Sequence, residues 1–451
     1  MVAAGMDVAR VPLAHGTIDD AVERVRRLRA VVPNVGVLID LPGPKPRTGP
    51  FDDPGAELVE GADVRLVAFD SHIGSSASMI SADEQVVAAL EPGDRVALGD
   101  GGVALRVTER AGDHVLATVI SGGPVRGRPG IAVPGQTSTQ PSLTPEDRDR
   151  LDALLPVGVD AVAVSFVRSA EDIEAVRELI GPGGPLLVAK VETAEAVGDL
   201  DRIAATADAV MVARGDLGVR LPIEDVPHIQ KRIIRTGVRY GRPVITATQM
   251  LESMITATSP TRAEVADIAN AVLDGTSALM LSGETAIGAH PVSVVATMAR
   301  IASRAEQEFD YRGWGADLAP QEVSGGPGSP AAITAATTAA AWRATRDQEV
   351  ALIIACTRSG ATARAISRFR PDVRIIAATP SDQTARQLSM SWGVTALTVG
   401  ESQSTDDIVW FAVQAVVRAG YASPGDVAVV LAGSPIEPEP ATDTLRLVRI
   451  R

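Results

Sequence analysis

The sequence predicts an α/β protein with three parts: a (β/α)8 TIM-type barrel that lacks its first βα unit, an inserted small β-barrel lid domain, and a C-terminal open-sheet α/β domain. Short apolar runs recur between helix-length segments, which is typical of buried parallel strands. A middle stretch alternates apolar and polar residues around Gly- and Asp-rich turns, which indicates antiparallel strands. Strand–helix alternation then resumes behind a Gly/Pro/Ser-rich stretch and predicts a separate domain.

Seven strands are predicted for the barrel. They are expected at residues 6–11, 35–40, 158–166, 185–191, 208–214, 243–248 and 277–282. The helical segments that follow the first and third strands start at Thr17 and Ser169, residue types that cap helices. Seven βα units are one fewer than a closed barrel needs, and an open barrel would leave two unpaired strand edges. We therefore expect a missing element upstream, and we interpret its absence as a start codon assigned too late, with a truly shortened protein as the alternative.

The inserted domain is predicted at residues 50–141, on the loop that follows the second strand. Because that loop lies at the end of a barrel where active sites are found, the insert is positioned to act as a lid. Prolines on both sides of it suit hinges, and rigid connectors are an equal alternative. The barrel then comprises residues 1–49 and 142–325, and the C-terminal domain residues 326–451, with the boundary in the stretch 322–330.

The composition excludes several classes of function. The 451 residues carry a net charge of −14; the absence of basic stripes argues against nucleic acid and membrane as partners. One cysteine, Cys356, excludes an intramolecular disulfide, and its apolar neighbours indicate a buried core residue. No apolar stretch approaches the ~20 residues of a membrane span, and no signal peptide is recognisable. We therefore expect a cytoplasmic protein.

Several predicted strands end in polar residues. Because the carboxyl ends of barrel strands meet on one face, we expect these side chains to converge there. Glu192 and Asp216 follow neighbouring strands and could share one divalent cation, and their hard oxygen atoms suit Mg²⁺ or Mn²⁺. The ammonium of Lys190, once buried, should face an anion. For Thr248, local sequence leaves a helix cap as an alternative.

The motifs that carry these residues resemble those of the pyruvate kinase family. Seven runs follow one another in that family's order: FVRSAEDI, AKVE, VMVARGDLGV, HIQKRIIR, PVITATQMLESM, PTRAEVADIANAVLDGT and LMLSGETA. The resemblance covers nearly the whole chain, including the lid insert and the C-terminal TRSGATAR. It implies a cytoplasmic homotetramer of glycolysis that transfers the phosphoryl group of phosphoenolpyruvate to ADP and gives pyruvate and ATP.

The resemblance also implies how the site residues divide the chemistry. Glu192 and Asp216 would hold Mg²⁺ or Mn²⁺, while Lys190 and Arg10 would neutralise the phosphoryl group in transfer. The substrate contacts that it implies are Ser165, Gly215, Asp216 and Thr248.

Proton delivery and nucleotide binding involve further residues in the family pattern. Thr248 and Ser282, with Glu284 behind them, would help to deliver a proton through water. The residues implied to contact the nucleotide phosphates are Arg10, His15 and Arg47. For His15, a purely structural role is an equal alternative. The phosphate-binding loop of a sugar-phosphate effector is matched by Thr357, Ser359 and Thr362.

The chain departs from the family pattern where K⁺-dependent members bind K⁺. Pro12, Ala14 and Leu41 stand where the family carries oxygen-bearing side chains, and Lys45 stands where such members carry an acid. An ammonium can replace the positive charge of a bound ion. We therefore expect an enzyme that does not require K⁺. The effector segment at 433–447 is also unusual, because its prolines and glutamates would weaken phosphate binding.

Two other functions remain as alternatives to the enzyme. A catalytically weakened relative that binds substrate, nucleotide or effector as a regulatory protein is favoured by Pro12, Ala14 and the missing strand. A metal-dependent lyase that makes pyruvate on the same barrel is disfavoured by the nucleotide arginines, because a lyase needs no ADP. Turnover separates the enzyme from the regulatory protein, and nucleotide binding separates both from the lyase.

Overall fold

The computed structural model describes residues 1–69, 74–99, 101–135, 140–318, 326, 328–402, 404–434 and 441–451. Three predicted features lie wholly or partly outside these residues. They are the second predicted lid hinge at 128–141, of which 136–139 lie outside, the domain boundary at 322–330 and the proline-rich part of the effector segment at 435–440.

The first part of the barrel contains two strands and the helix between them. These elements are β1 (Val8–Pro12), α1 (Ile18–Val31) and β2 (Gly36–Asp40). The predicted cap at Thr17 is confirmed: its hydroxyl accepts a hydrogen bond from the Asp20 amide, and the Asp20 carboxylate accepts one from the Thr17 amide. This reciprocal pair satisfies two amides that the first turn of a helix would otherwise leave without partners.

The insert forms its own layer of strands. Its elements are β3 (Phe51–Leu58), β4 (Asp63–Ala68), β5 (Met79–Ala82), α2 (Glu84–Ala89), β6 (Arg95–Leu98), β7 (Val103–Ala111), β8 (His114–Ser121), β9 (Gly123–Gly127) and β10 (Ile131–Ala132). Six of these strands form a sheet in the order β10-β6-β7-β8-β4-β5, and β3 pairs with β9. Leu66, Ile80 and Leu105 are fully buried in a core of its own.

The chain then returns to the barrel. The elements of this part are α3 (Pro145–Leu154), β11 (Ala161–Val164), α4 (Ala170–Ile180), β12 (Leu186–Val191), α5 (Ala194–Gly198), α6 (Leu200–Thr206), β13 (Ala209–Ala213), α7 (Arg214–Arg220), α8 (Val226–Arg239), β14 (Val244–Ala247), α9 (Arg262–Leu273), β15 (Ala278–Met280), α10 (Gly283–Ala286), α11 (Pro291–Glu306) and α12 (Tyr311–Leu318). Ser169 occupies the N-cap position of α4, as predicted, but its side chain makes no cap hydrogen bond. The Ala170 amide donates instead to Asp199, a residue distant in sequence.

The barrel sheet is parallel and confirms the seven predicted strands. Its order is β1-β2-β11-β12-β13-β14-β15, so β1 and β15 are the outer strands within the described part of the chain. A largely apolar cleft of about 1100 Å³ lies between these two strands and α11. The expected open barrel is therefore confirmed, with space between its edges.

Side chains alternate across the strands and divide the barrel into two cores. Leu38, Ala163, Val188 and Met211 belong to an inner cluster enclosed by the sheet. Their neighbours along each strand pack outward against the helices. This is the period of two that a strand imposes, and it fixes which residues at the strand ends point inward.

The C-terminal domain is a second α/β layer. Its elements are α13 (Pro330–Asp347), β16 (Leu352–Cys356), α14 (Ala361–Ser367), β17 (Arg374–Thr379), α15 (Asp382–Gln387), β18 (Val394–Thr398), α16 (Thr405–Arg418), β19 (Val427–Ala432) and β20 (Thr444–Arg449). The sheet order is β18-β17-β16-β19-β20, and only β20 is antiparallel to its neighbour. Cys356 is buried among apolar residues of this sheet, which confirms the predicted core position, and burial raises its pKa to about 12. Of the described helices, none has both the length and the apolar character needed to cross a bilayer.

One buried carboxylate joins the barrel to the C-terminal domain. Asp160, just before β11, is 1% exposed and accepts hydrogen bonds from the Val37 amide at 2.8 Å and from Arg386 Nε at 2.9 Å. Arg29 forms a second ion pair with the same carboxylate. Three separate segments therefore depend on a single side chain at the amino-terminal end of the barrel strands.

Replacing Asp160 should destabilise the protein. We expect Asp160→Asn to lower the free energy of unfolding by about 3 kcal/mol, because it leaves two arginines without their buried counter-ion. Urea unfolding at pH 7 would measure this loss. The control is Asp113→Asn, whose carboxylate is 99% exposed beside His114 and should cost less than about 0.5 kcal/mol. Equal losses in the two variants would contradict this account of the domain junction.

Candidate active site

The candidate site follows from the inward alternation of the barrel strands. Arg10, Asp40, Ser165 and Lys190 each lie two residues beyond an inward-facing apolar residue of their own strand. They therefore point into the barrel at its carboxyl end. The structure brings these four side chains into one hydrogen-bonded cluster.

Lys190 lies at the centre of this cluster. Its Nζ is 2.6 Å from Ser165 Oγ, 3.2 Å from Asp40 Oδ1 and 3.7 Å from Glu192 Oε1. Burial alone would lower the pKa of Lys190, but the charges of Asp40, Glu192 and Asp216 outweigh it and raise the pKa to about 12. Lys190 is therefore a fixed cation at any physiological pH.

Asp40 is the counter-ion of two cations. Nε and Nη2 of Arg10 both lie 2.7 Å from Asp40 Oδ2, while Lys190 contacts the other oxygen. Burial alone would raise the pKa of Asp40, but Lys190 and Arg10 hold it below its usual value. Both of its oxygens are thus occupied, so it orients the two cations and leaves no free oxygen for a metal.

Glu192 and Asp216 form the pair of carboxylates that the sequence predicted at neighbouring strand ends. Glu192 is fully buried; its Oε1 accepts the Phe166 amide at 2.7 Å, while Oε2 has no partner among the described residues. Burial raises the pKa of Glu192 despite the nearby Lys190, and the charge of Asp216 adds to the rise. A buried carboxylate oxygen without a partner is costly, so this atom is suited to receive a cation.

The two carboxylates fit a hard divalent cation. Among the described residues, no group of three or more His, Cys, Asp or Glu side chains is arranged to hold a metal. Two carboxylates are nevertheless the usual protein contribution to a Mg²⁺ site, where water and substrate oxygens complete the octahedron. Glu192 and Asp216 would hold the ion.

Lys45, in the segment that leads into the insert, contacts one carboxylate of this pair. Its Nζ lies 2.7 Å from Asp216 Oδ1. Burial alone would raise the pKa of Asp216, but Lys45 is the largest of the groups that hold it below its usual value. The stem of Lys45 crosses Gly130 of the insert, where an added methyl group would come within 2.8 Å of Lys45 Cε. Lys45 thereby contacts both the insert, at Gly130, and the Asp216 carboxylate.

Thr248 lies in a strained turn at the end of β14. Thr248 and Gln249 have φ values of 68° and 53°, which residues other than glycine rarely adopt. The Thr248 hydroxyl accepts the Gly215 amide at 2.9 Å and donates to the Ala247 carbonyl at 2.7 Å. In this structure the Gly215 amide is therefore occupied by Thr248.

Arg214 holds this turn, and sequence reasoning missed it. Its Nη2 donates to the Thr248 carbonyl at 2.6 Å, and its Nη1 contacts both oxygens of Asp267 at 2.7 and 2.6 Å. Its place in VARGD, two residues before the candidate metal ligand Asp216, could have indicated a role in the site. A half-buried arginine there needs hydrogen-bond acceptors for its guanidinium group. Its partner Asp267, on α9, could not be found from local sequence.

Ser282 and Glu284 lie on the far side of the site, after β15. The two oxygens of Glu284 accept the amides of Ser282 at 2.7 Å and Leu251 at 3.2 Å. Glu284 is thus a buried support for the backbone. Ser282 Oγ lies 3.5 Å from Nη1 of Arg10, so the two outer strands contribute side chains to the same site.

The predicted nucleotide residues lie at the rim. His15 is exposed after β1, beside the open cleft. Nη1 of Arg47 donates to the carbonyl of Arg128 at 3.0 Å, which ties the segment that leads into the insert to the bend between β9 and β10. Only Arg10 of the three predicted nucleotide residues contacts the Lys190 cluster in the described structure.

The predicted effector residues lie in the C-terminal domain, at the turn before α14. Ser359 is exposed, whereas Thr362 is buried and its hydroxyl lies 2.8 Å from that of Thr442. Thr357 donates its amide to the Ala378 carbonyl of the neighbouring strand. The three residues form no part of the Lys190 cluster.

Comparisons with known proteins agree with this arrangement. The family description "Pyruvate kinase, barrel domain" matches residues 1–295, and "Pyruvate kinase, alpha/beta domain" matches residues 335–448. The chain belongs to the pyruvate kinase family. A pyruvate kinase of Mycobacterium tuberculosis is 40% identical over 100% of this chain and 94% of its own length. Pyruvate kinases of Agrobacterium vitis and Clostridium acetobutylicum are 39% and 37% identical, over 99% and 98% of this chain and 93% and 94% of their own lengths.

Family membership makes the chain a transferase of the kinase type. The motifs on which the resemblance rests are the segments that build the site, since AKVE carries Lys190 and Glu192 and VARGD carries Arg214 and Asp216. None of the reported relatives supports the regulatory-protein or lyase alternatives.

Loss of either ligand carboxylate should weaken divalent-cation binding. We expect Glu192→Gln and Asp216→Asn each to raise the Kd for Mn²⁺ about 100-fold, because each removes one of two charged oxygen ligands from a site of low dielectric. The electron paramagnetic resonance signal of free Mn²⁺ measures this binding without any assay of activity. The matched control is Glu284→Gln, a buried carboxylate occupied by backbone amides. An unchanged Kd in the first two variants would place the metal elsewhere.

Proposed function

We propose that the protein catalyses phosphoryl transfer from phosphoenolpyruvate to ADP and so forms pyruvate and ATP. The observation that carries the proposal is the buried cation of Lys190 beside the Glu192–Asp216 pair, in a chain 37–40% identical to pyruvate kinases over nearly its whole length. A fixed cation next to two carboxylates that can hold a metal is what a phosphorylated, carboxylate-bearing substrate requires.

The transfer step breaks one P–O bond and forms another. The bond between phosphorus and the enol oxygen of phosphoenolpyruvate breaks, and a β-phosphate oxygen of ADP bonds to that phosphorus. Lys190 and Arg10 would neutralise the oxygens of the phosphoryl group, and both are oriented by Asp40. The bound divalent cation would polarise the enolate oxygen and balance the charge of the phosphoryl group. The substrate contacts proposed on family grounds are Ser165, Gly215, Asp216 and Thr248.

The enolate then takes a proton at its methylene carbon. The pKa of Lys190 of about 12 makes it a poor proton donor near pH 7. We assign proton delivery to water held by the hydroxyls of Thr248 and Ser282. Glu284 and Arg214 support this path by fixing the backbone on either side of it.

Lys45 would make the enzyme independent of K⁺. Its ammonium already contacts Asp216, where it supplies a positive charge beside the metal ligands. Pro12, Ala14 and Leu41, at the positions where the family carries K⁺ ligands, have no side-chain oxygen. A cation attached to the chain thus replaces one that would have to bind from solution. Its positive charge is held in place without the entropy loss of a further binding step.

The lid and the nucleotide are linked through the hinge. Arg47 and His15 are proposed to contact the ADP phosphates together with Arg10. Arg47 donates a hydrogen bond to a backbone carbonyl of the insert. If Arg47 binds a nucleotide, this contact would transmit the binding to the lid. Closure would exclude water from the phosphoryl group, which would otherwise hydrolyse.

We also propose a homotetramer, as family resemblance implies. Large apolar side chains are exposed on the barrel and on the C-terminal domain; these are Ile223, Ile287, Val292, Trp410, Phe411 and Leu447. Trp410 and Phe411 form an edge-on aromatic pair on α16, with ring centroids 5.2 Å apart. Aromatic residues of this kind often form the core of an interface. Light scattering on the eluting protein would give the mass of a tetramer or overturn this proposal.

The direct test is pyruvate formation from phosphoenolpyruvate and ADP with Mg²⁺. We expect ADP-dependent turnover, and a fall of about 10²–10³-fold in kcat for Lys190→Met, since a preorganised charge at the transferring group is lost. The control is Lys231→Met. It also removes a lysine ammonium, but this one pairs with Asp274 among the outer helices, away from the Lys190 cluster. A folded protein that binds ADP without turnover would favour a regulatory role, and pyruvate formed without ADP would favour a lyase.

The role of Lys45 gives a separate expectation. Wild-type turnover should differ by less than about twofold between K⁺ and tetramethylammonium salts of equal ionic strength. Lys45→Met should lower kcat about 100-fold because the charge beside Asp216 is lost, and K⁺ should not restore it. Lys45→Arg keeps the charge and should retain more activity than Lys45→Met. A wild-type enzyme that needs K⁺ would overturn the assignment.

A further inference from the structure

A second polar pocket lies at the opposite end of the barrel, against the C-terminal domain. Its barrel side is formed by residues that precede β14 and β15, and its other side by α14 and the residues after it. Four of the residues that line it are arginines: Arg242, Arg364, Arg368 and Arg370. We call it the interdomain arginine pocket.

Carbonyl groups, not carboxylates, are the partners of these arginines. Their acceptors are the carbonyls of Ala204 and Ala205, Ser359, Arg239, and Val272 and Thr276. Within the described ranges, none of the four takes part in a salt bridge. The nearest acids have other partners: Asp208 pairs with Arg177 at 3.0 Å, and Glu306 accepts the Trp392 indole at 2.8 Å. Asp208 therefore attracts Arg242 and Arg364, and Glu306 attracts Arg370. The guanidinium of Arg368 lies over the ring of Phe369, with its centre 4.7 Å from the ring centroid.

Two guanidinium nitrogens of the residues that line the pocket make no hydrogen bond within the described chain. Nη1 of Arg364 and Nε of Arg368 are buried and have no acceptor among the described residues, and the whole Arg364 residue is only 9% exposed. Burial lowers the pKa of each of these two side chains to about 10, so both remain charged near pH 7. Buried charges of one sign are stable only when something compensates for them.

We propose that the interdomain arginine pocket binds a phosphate group. Guanidinium groups present parallel N–H donors that match the spacing of oxyanion oxygens, which a monatomic anion cannot use in the same way. The enclosed part of the pocket has a volume of about 10 Å³, which is room for one oxygen atom. One phosphate oxygen enters between Arg364 and Arg368, and the others stay at the mouth.

A phosphate at this position would connect the two domains. Arg242 belongs to the barrel and precedes β14, whereas Arg364 and Arg368 belong to α14 and its end. The ring of Trp392 also lines the pocket, above the guanidinium of Arg370, whose centre is 5.0 Å from the ring centroid. Binding should therefore raise thermal stability and alter tryptophan fluorescence together.

The experiment titrates the full chain with inorganic phosphate at constant ionic strength, and measures Tm and tryptophan fluorescence. We expect both to change with one saturable curve, with a rise in Tm of about 1–2 °C at ten times the Kd. Arg368→Met and Arg364→Met should each abolish the response, whereas Arg418→Met, an exposed arginine on α16, should keep it. If one pocket variant does not fold, the other still decides the outcome.

Two further titrations identify the ligand and the place. Glycerol 3-phosphate in place of inorganic phosphate shows whether a phosphate monoester also enters the pocket, and either result keeps the phosphate group as the ligand. An equal saturable response to chloride would overturn the oxyanion assignment. Ser359→Ala should leave the response intact, since it removes only the hydroxyl of the turn before α14 and keeps the Ser359 carbonyl that Arg364 contacts. A response that persists in both pocket variants, or that never saturates, would overturn the proposal.

Discussion

The buried ammonium of Lys190 is the interaction on which the rest of the active site depends. A cation inside a barrel is stable only among anions, and this one is surrounded by Asp40, Glu192 and Asp216. Both oxygens of Asp40 accept hydrogen bonds, one from Lys190 and the other from Arg10. Glu192 and Asp216 are thereby left with oxygen atoms that a metal can use. The same charge balance thus positions the cations for the phosphoryl group and reserves two carboxylates for the metal.

The open barrel does not separate the two halves of this site. Arg10 lies on one outer strand and Ser282 follows the other, yet their side chains approach to 3.5 Å at the carboxyl end. The apolar cleft lies between the same two strands. Two further residues support the site: Arg214, after the inner strand β13, and Glu284, after the outer strand β15, fix the backbone through carbonyl and amide contacts.

Much of the fold was predictable because its signals are local. The apolar runs identified all seven barrel strands, and the period of two along each strand explains why Lys190 and Asp40 point inward. Residues that depend on a distant partner were not predictable in this way. Arg214 gains its role from Asp267, which is 53 positions away. At the N-cap residue Ser169, the amide that follows is bound by the distant Asp199 and not by the Ser169 side chain. The sequence predicted that Lys45 replaces a bound cation. Its contact with Asp216, 171 positions away, becomes visible only in the folded structure.

The most direct test of the account is anomalous diffraction from crystals grown with Mn²⁺ and phosphoenolpyruvate. We expect one strong anomalous peak within about 2.3 Å of Glu192 Oε2 and of an Asp216 oxygen, with Lys190 Nζ against the phosphoryl group. Lys45 should remain beside Asp216 or the substrate, in the place of a monovalent ion. A peak at Asp40, or a phosphoryl group bound away from Lys190, would contradict the account.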